Sequence, residues 1–237
     1  MRSLTVLPPA PEGEIPVWEG TDAELEEKVA ELSRGRQWEE IIGGFSHPRK
    51  MPGIAYGYPA STCKTGSKLA EKPGTVCNSC YARKGTFRFG NVQKALWKRY
   101  HSLFDPLWTP AIVAGVRSEA RPGDHVRLND SGDFQSLNHL KNIFTLCRSV
   151  RDVLFWGPTR EPGLLKLIKP EDVPDNLTIR LSGNLLNGKP PKGWPWTSTV
   201  VSEDGTCPTS QEGGSCADFG CFACWSRDVA NVEYELH

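Results

Sequence analysis

Residues 126–160 read VRLNDSGDFQSLNHLKNIFTLCRSVRDVLFWGPTR, and their pattern decides the fold class. A short apolar run, Val126-Arg127-Leu128, gives way to a polar turn, Asn129-Asp130-Ser131-Gly132-Asp133. Leu137, Leu140, Phe144 and Cys147 then recur on one helical face, and a second apolar run at 153–156 ends on Gly157-Pro158-Thr159-Arg160. Strand, helix, strand in this order is a β-α-β unit, because parallel neighbours need a crossover long enough to hold a helix.

Working outward, the alternation continues. A short helix is expected at 162–168, a third strand at 177–181 ending on Ser182-Gly183-Asn184, and a fourth at 197–201. Upstream, 52–59 reads as a short strand feeding Cys63, and Val92, Ala95, Leu96, Tyr100 and Leu103 predict a helix from Asn91 to about residue 104. Residues 63–90, rich in glycine and without periodicity, read as a structured loop. Thr21 and Glu24 form a capping box ahead of Leu25, Val29 and Leu32, which predicts a helix over 22–34. The first 20 residues, rich in proline, read as an extended arm, surface-bound or mobile. The polar residues Asp130, Asp133, Thr159, Arg160, Ser182 and Asn184 all follow strands, the end where parallel α/β folds place their sites. The same residue types also terminate strands simply because they make turns. Asp130 and Asp133 are candidates for an acid–base pair and Arg160 for holding an anion or pairing with a carboxylate.

Lys plus Arg and Asp plus Glu each number 28 in the 237 residues. With no net charge, no global field draws the chain to nucleic acid or an anionic membrane. No apolar run approaches the roughly 20 residues of a membrane-spanning helix, and the first residues lack the apolar core of a signal peptide. A reducing cytoplasm is therefore expected, where eight cysteines point to metal ligation over disulfides.

Seven of those cysteines fall into two clusters: Cys63, Cys77 and Cys80, then Cys207, Cys216, Cys221 and Cys224. Each cluster holds one C-x-x-C pair, a turn that lets two thiolates face one metal ion or two irons of one cluster. A thioredoxin-like dithiol would account for one pair and leave the other unexplained. Cys216-x4-Cys221-x2-Cys224 has the spacing of a plant-type ferredoxin loop, which favours iron–sulfur over zinc. Cys147 shares the apolar helix face and is read as core. The five histidines share no short metal-binding spacing with a cysteine and are read as surface or packing residues.

Several segments together resemble a known family. Thr62-Cys63, Cys77-x-x-Cys80-Tyr81-Ala82, Asn91-Val92, Ser131-Gly132-Asp133-Phe134, Thr159-Arg160, Arg180-Leu181-Ser182, Cys207-Pro208 and Cys221-x-x-Cys224-Trp225 resemble the bacteriophage gene-product-eighty-eight domain, from about residue 52 to 225. The resemblance implies a phage-encoded iron–sulfur protein on a barrel related to that of radical S-adenosylmethionine enzymes, acting inside the infected bacterium. The chain departs from the radical-enzyme pattern: it has no C-x-x-x-C-x-x-C, and thirteen residues separate Cys63 from Cys77. That departure argues against S-adenosylmethionine as a cofactor.

The expectation is an α/β chain with an amino-terminal arm and helix (1–50) and a metal-binding domain (51–237) on a parallel, incomplete TIM-barrel-like sheet, with surrounding helices and cysteine-bearing loops. One [4Fe-4S] cluster is the expected cofactor, with zinc the alternative. Its expected ligands are Cys77, Cys80, Cys221 and Cys224, with Cys63, Cys207 and Cys216 as further candidates. The expected role is redox or electron transfer with a redox or host protein partner; the alternative is a binding protein without turnover.

Overall fold

The computed structural model describes residues 11–211 and 214–236. Its strands β1 (Ile54–Tyr56), β2 (His125–Leu128), β3 (Leu154–Thr159), β4 (Leu177–Leu186), β5 (Thr197–Val201) and β6 (Asn231–Glu235) form one sheet in chain order, every adjacent pair parallel. When each crossover is right-handed and steps in the same direction, all crossovers lie on one face. This order is compatible with the wall of an incomplete barrel; among the described residues no pairing joins β1 to β6.

The helices are α1 (Asp22–Ser33), α2 (Gln37–Ile42), α3 (Lys64–Ala70), α4 (Gly90–Ser102), α5 (Trp108–Glu119), α6 (Leu137–Ser149), α7 (Pro162–Leu165) and α8 (Pro208–Gln211). The capping box of α1 forms as expected, with Thr21 and Glu24 bonded reciprocally. Five elements went unread in the sequence: the short helices α2 and α8, and α3, α5 and β6. The loop expected at 63–90 contains α3 and a series of 3-10 turns. Helix α5 is buried at every position from Trp108 to Val116, so it has no polar face to give it a period. The last strand, β6, carries only two apolar residues, Val232 and Tyr234.

Register divides the sheet into two faces. Ile54, Val126 and Phe155 are aligned across β1–β3, as are Phe155 with Leu177 and Thr159 with Leu181. Together they make the apolar face, whose core cluster includes residues of α1, α2, α5 and α6. Ile15 belongs to that cluster, and Asn142 on α6 binds both Trp18 N–H (3.0 Å) and the Pro16 carbonyl (2.8 Å). Residues 11–18 of the proline-rich arm are thus docked; its first ten residues lie outside those described.

The opposite face is polar. It carries Arg127 on β2, Trp156 on β3, Thr178 and Arg180 on β4, Ser198 on β5 and Tyr234 on β6. Among the described residues, no helix contributes to the apolar cluster on this face. The face is covered by the cysteine-bearing segment that precedes β6, whose Trp225 packs on Trp156 with ring centroids 5.3 Å apart.

Candidate functional site

The first cysteine group is assembled by the chain that leaves β1. After Tyr56 a 3-10 turn at Ala60–Thr62 delivers Cys63 to the N-cap of α3. The next turn of chain is anchored across the sheet, because the Glu161 carboxylate beyond β3 accepts from Thr65 N–H (2.7 Å) and from the Thr65 hydroxyl (2.8 Å). Returning from α3, Thr75 caps the turn Val76–Ser79 that holds Cys77, and Cys80 closes it with its N–H on the Cys77 carbonyl (3.2 Å). Gly66 stands between the thiols. A Cβ there would lie 3.0 Å from Cys63 Cβ, 3.5 Å from Cys77 Sγ and 3.6 Å from Cys63 Sγ. The two sulfurs therefore flank one point that only glycine leaves open, and a helical glycine in a stretch without periodicity acquires a reason.

Burial pushes the Cys63 and Cys77 thiols up; the charges of the neighbouring cysteines and of Asp133 add to this, while Arg160 pulls both back toward thiolate. Asp133, a candidate for acid–base work, ties two loops together. Its carboxylate accepts from Thr159 Oγ1 (2.7 Å), Phe134 N–H (2.8 Å) and Arg160 N–H (2.8 Å), clamping the loop after β2 to the end of β3. Burial nevertheless raises its pKa to about 6. Arg160 donates to the Gly183 carbonyl (3.3 Å), which leaves its charge directed at the thiols and not at a carboxylate. Asp130 is buried and raised by desolvation, and its Oδ1, with Asn129 Oδ1 and Ser131 Oγ, has no hydrogen-bond partner among the described residues. Buried polar atoms of this kind usually mark bound water or a ligand.

The second group sits on the polar face. Cys207, Cys216, Cys221 and Cys224 all line one cavity of about 310 Å³, together with Val229 and Val232. Cys207 N–H bonds the Glu233 carbonyl (2.9 Å) along the free edge of β6, and Cys216 N–H bonds the Lys50 carbonyl (2.8 Å) just ahead of β1. The segment thus bonds to the chain at both outer strands of the sheet, β6 and the approach to β1. Phe222 stacks on His125 at the start of β2, and Trp225 Nε1 donates to the Val126 carbonyl (3.0 Å). Burial raises the Cys224 thiol to about 12, although the Tyr234 hydroxyl (3.1 Å), Arg180 and Arg127 all favour its thiolate. Among the described residues no group of three or more His, Cys, Asp or Glu side chains is arranged to hold a metal ion. The four thiols line a space and do not close on a point.

Each cluster thus stays together. The cysteines whose charges bear on Cys63 and Cys77 are those of the first group, and those bearing on Cys216 and Cys224 are those of the second. Between the groups lies Arg127, which donates to Tyr81 Oη (2.7 Å) beside Cys80 and feels the charges of Tyr234 and Cys224 on its other side. Cys147 is fully buried in the main core.

Three of the segments on which the resemblance rests meet at the carboxyl ends of the strands: Gln135 Nε2, just after Phe134, reaches Thr62 Oγ1 (3.3 Å), and Asp133 joins Thr159 to Arg160. A family model described as gene product 88 matches residues 23–194, most of the chain. The chain belongs to the gene product 88 family. The family match takes in α1 and α2, which the motif resemblance left out, and contains the first cysteine group whole. It ends ahead of Cys207. No curated protein and no solved structure matches the chain. Among the described residues no helix of this gene product 88 protein is long and apolar enough to cross a membrane.

Arg127, Arg180, Tyr81 and Glu161 were not singled out as site residues by sequence reasoning. Two of them had a signal: Val126-Arg127-Leu128 and Ile179-Arg180-Leu181 each set a charge inside an apolar strand, which in a buried sheet means one face is not apolar.

Proposed function

We propose that this gene product 88 protein is an iron–sulfur protein of redox or electron-transfer function, with a [4Fe-4S] cluster held by Cys63, Cys77 and Cys80 at the carboxyl ends of the strands. The observation that carries the reading is the pair of sulfurs flanking Gly66, with Cys80 beside them and Arg160 directed at them. A cluster on three thiolates is anionic, and a guanidinium without a carboxylate partner offsets that charge and supports the reduced state. Such a cluster would supply one-electron chemistry. The residues of the chain would bind it through three sulfurs, hold the loops in register through Asp133 and Glu161, and leave the unpaired polar atoms of 129–131 for water or a polar ligand close by. A lone zinc ion is favoured less, since three thiols leave its fourth place open and none of the five histidines has a cysteine spacing suited to fill it. The expected partner is a redox protein.

The test is anaerobic purification followed by iron, inorganic sulfide and zinc analysis of the wild type and of Cys77→Ser and Cys80→Ser. Iron and sulfide in equal amounts, both reduced in each variant, are expected. Iron and sulfide content unchanged by these substitutions, or zinc in their place, would overturn the reading.

A further inference from the structure

The segment before β6 lies outside the family match, yet it carries four of the seven clustered cysteines. Two features of its surroundings ask for an anion. Arg180 is 0 % exposed and spends its donors on main-chain carbonyls: Cys224 (3.0 Å), Ala223 (2.6 Å), Ser226 (2.7 Å), Val229 (2.9 Å) and Thr197 (3.1 Å). Carbonyls satisfy the N–H groups and leave the charge. Arg127 is half-buried beneath the same loop, stacked on Trp156 at 4.9 Å, and its Nε has no hydrogen-bond partner among the described residues. Neither arginine forms an ion pair with a carboxylate among the described residues. A buried cation without a counter-charge is costly, so Arg180 favours an anionic group nearby. The acidic groups that bear on Arg180 are Tyr234 and Cys224, and those that bear on Arg127 are Tyr81, Asp130, Tyr234 and Cys224.

We infer that Cys207, Cys216, Cys221 and Cys224 form a second iron–sulfur site, separate from the first and closed by four thiolates, whose negative charge Arg180 and Arg127 neutralise. The plant-type ferredoxin spacing of Cys216, Cys221 and Cys224, with Cys207 as a fourth thiol lining the same cavity, favours a cluster over zinc. The backbone is already set: the Cys221 N–H bonds the Cys216 carbonyl (2.9 Å), folding the Cys216-x4-Cys221 loop, while Arg180 holds the peptide groups of the Cys221-x-x-Cys224 turn from beneath. Tyr234 Oη, 3.1 Å from Cys224 Sγ, supplies a hydrogen bond to sulfur. Val229, Val232 and Trp225 exclude water on the sheet side.

This inference stands apart from the first centre and is tested separately. Full-length protein purified anaerobically is expected to carry about eight irons and about eight sulfides per chain if both sites hold [4Fe-4S] clusters. Cys221→Ser and Cys224→Ser are each expected to lose about half of both and to keep the part that Cys77→Ser removes. Should these variants fail to fold, the wild type and Cys77→Ser decide together: about four irons per chain in the wild type, lost in Cys77→Ser, overturns the second site. Unchanged iron in folded Cys221→Ser overturns it also, and zinc lost from that variant in place of iron shows a zinc site and overturns the cluster.

Discussion

His139, read from sequence as a surface or packing residue, is the latter: it is fully buried against Tyr58, Trp108 and Phe134. Its Nδ1 accepts from the Gln135 N–H (3.2 Å), which assigns the proton to Nε2 and makes it the donor to Tyr58 Oη (2.9 Å). Burial lowers its pKa from 6.5 to about 3. Because the folded chain holds this proton less tightly than the unfolded one, the stabilisation is present above pH 6.5 and is lost as pH falls toward 3. Asp130 and Asp133, raised by burial, act in the opposite sense, gaining stability as pH falls. The difference between wild type and His139→Gln isolates the imidazole. We expect the variant to be less stable at pH 7 and its denaturation midpoint to fall less steeply between pH 6.5 and 4.5, by about one proton's worth of slope. Equal slopes would remove His139 as a source of acid sensitivity.

At the scale of elements, legibility followed amphipathicity. Helices α1, α4 and α6 each set an apolar stripe against the core and were readable from it. Helix α5 is enclosed on all sides and was not. Its packing rests on Gly115, where a Cβ would come within 2.9 Å of Phe45 Cε2 and of Trp38 Cε3 and within 3.1 Å of Ile42 Cδ1. Gly115→Val should therefore overpack the α2–α5 contact and destabilise the fold by about 1–3 kcal/mol. A chemical-denaturation midpoint equal to that of wild type would show that α2 can move aside. The cysteine loops failed the same periodic reading for another reason: their conformation is set by turns and by the site, as Gly66 shows, and not by a buried stripe.

For the whole molecule, the segment containing Cys207 to Cys224 is the closure between the two outer strands, bonded to Glu233 on one side and Lys50 on the other. It has little regular structure, and its order depends on Arg180, on Trp225 and, on our reading, on the metal. Ligands that close long loops gain stability because the apo chain must order them unaided. Removing the metal with chelator or oxidant should lower the melting temperature and expose 205–230 to protease ahead of the rest of the chain. A digestion pattern that is the same with and without metal would show that this closure holds by its hydrogen bonds alone.

The sequence by itself determined the α/β class, the parallel order of the strands it made visible, the capped first helix and the identity of the thiols available for a metal. Those features are local: they rest on periodicity, capping and composition within a dozen residues. The grouping of the thiols depends on tertiary structure. The expected ligand set joined Cys77 and Cys80 to Cys221 and Cys224; in the structure the first group gathers around α3, whose Thr65 is held by Glu161 beyond β3, and the second lines a cavity with Val232 of β6. Which arginine would face which sulfur was equally unreadable. Arg127 and Arg180 lie far from their cysteines in sequence, and only the register of the strands turns both toward the same face.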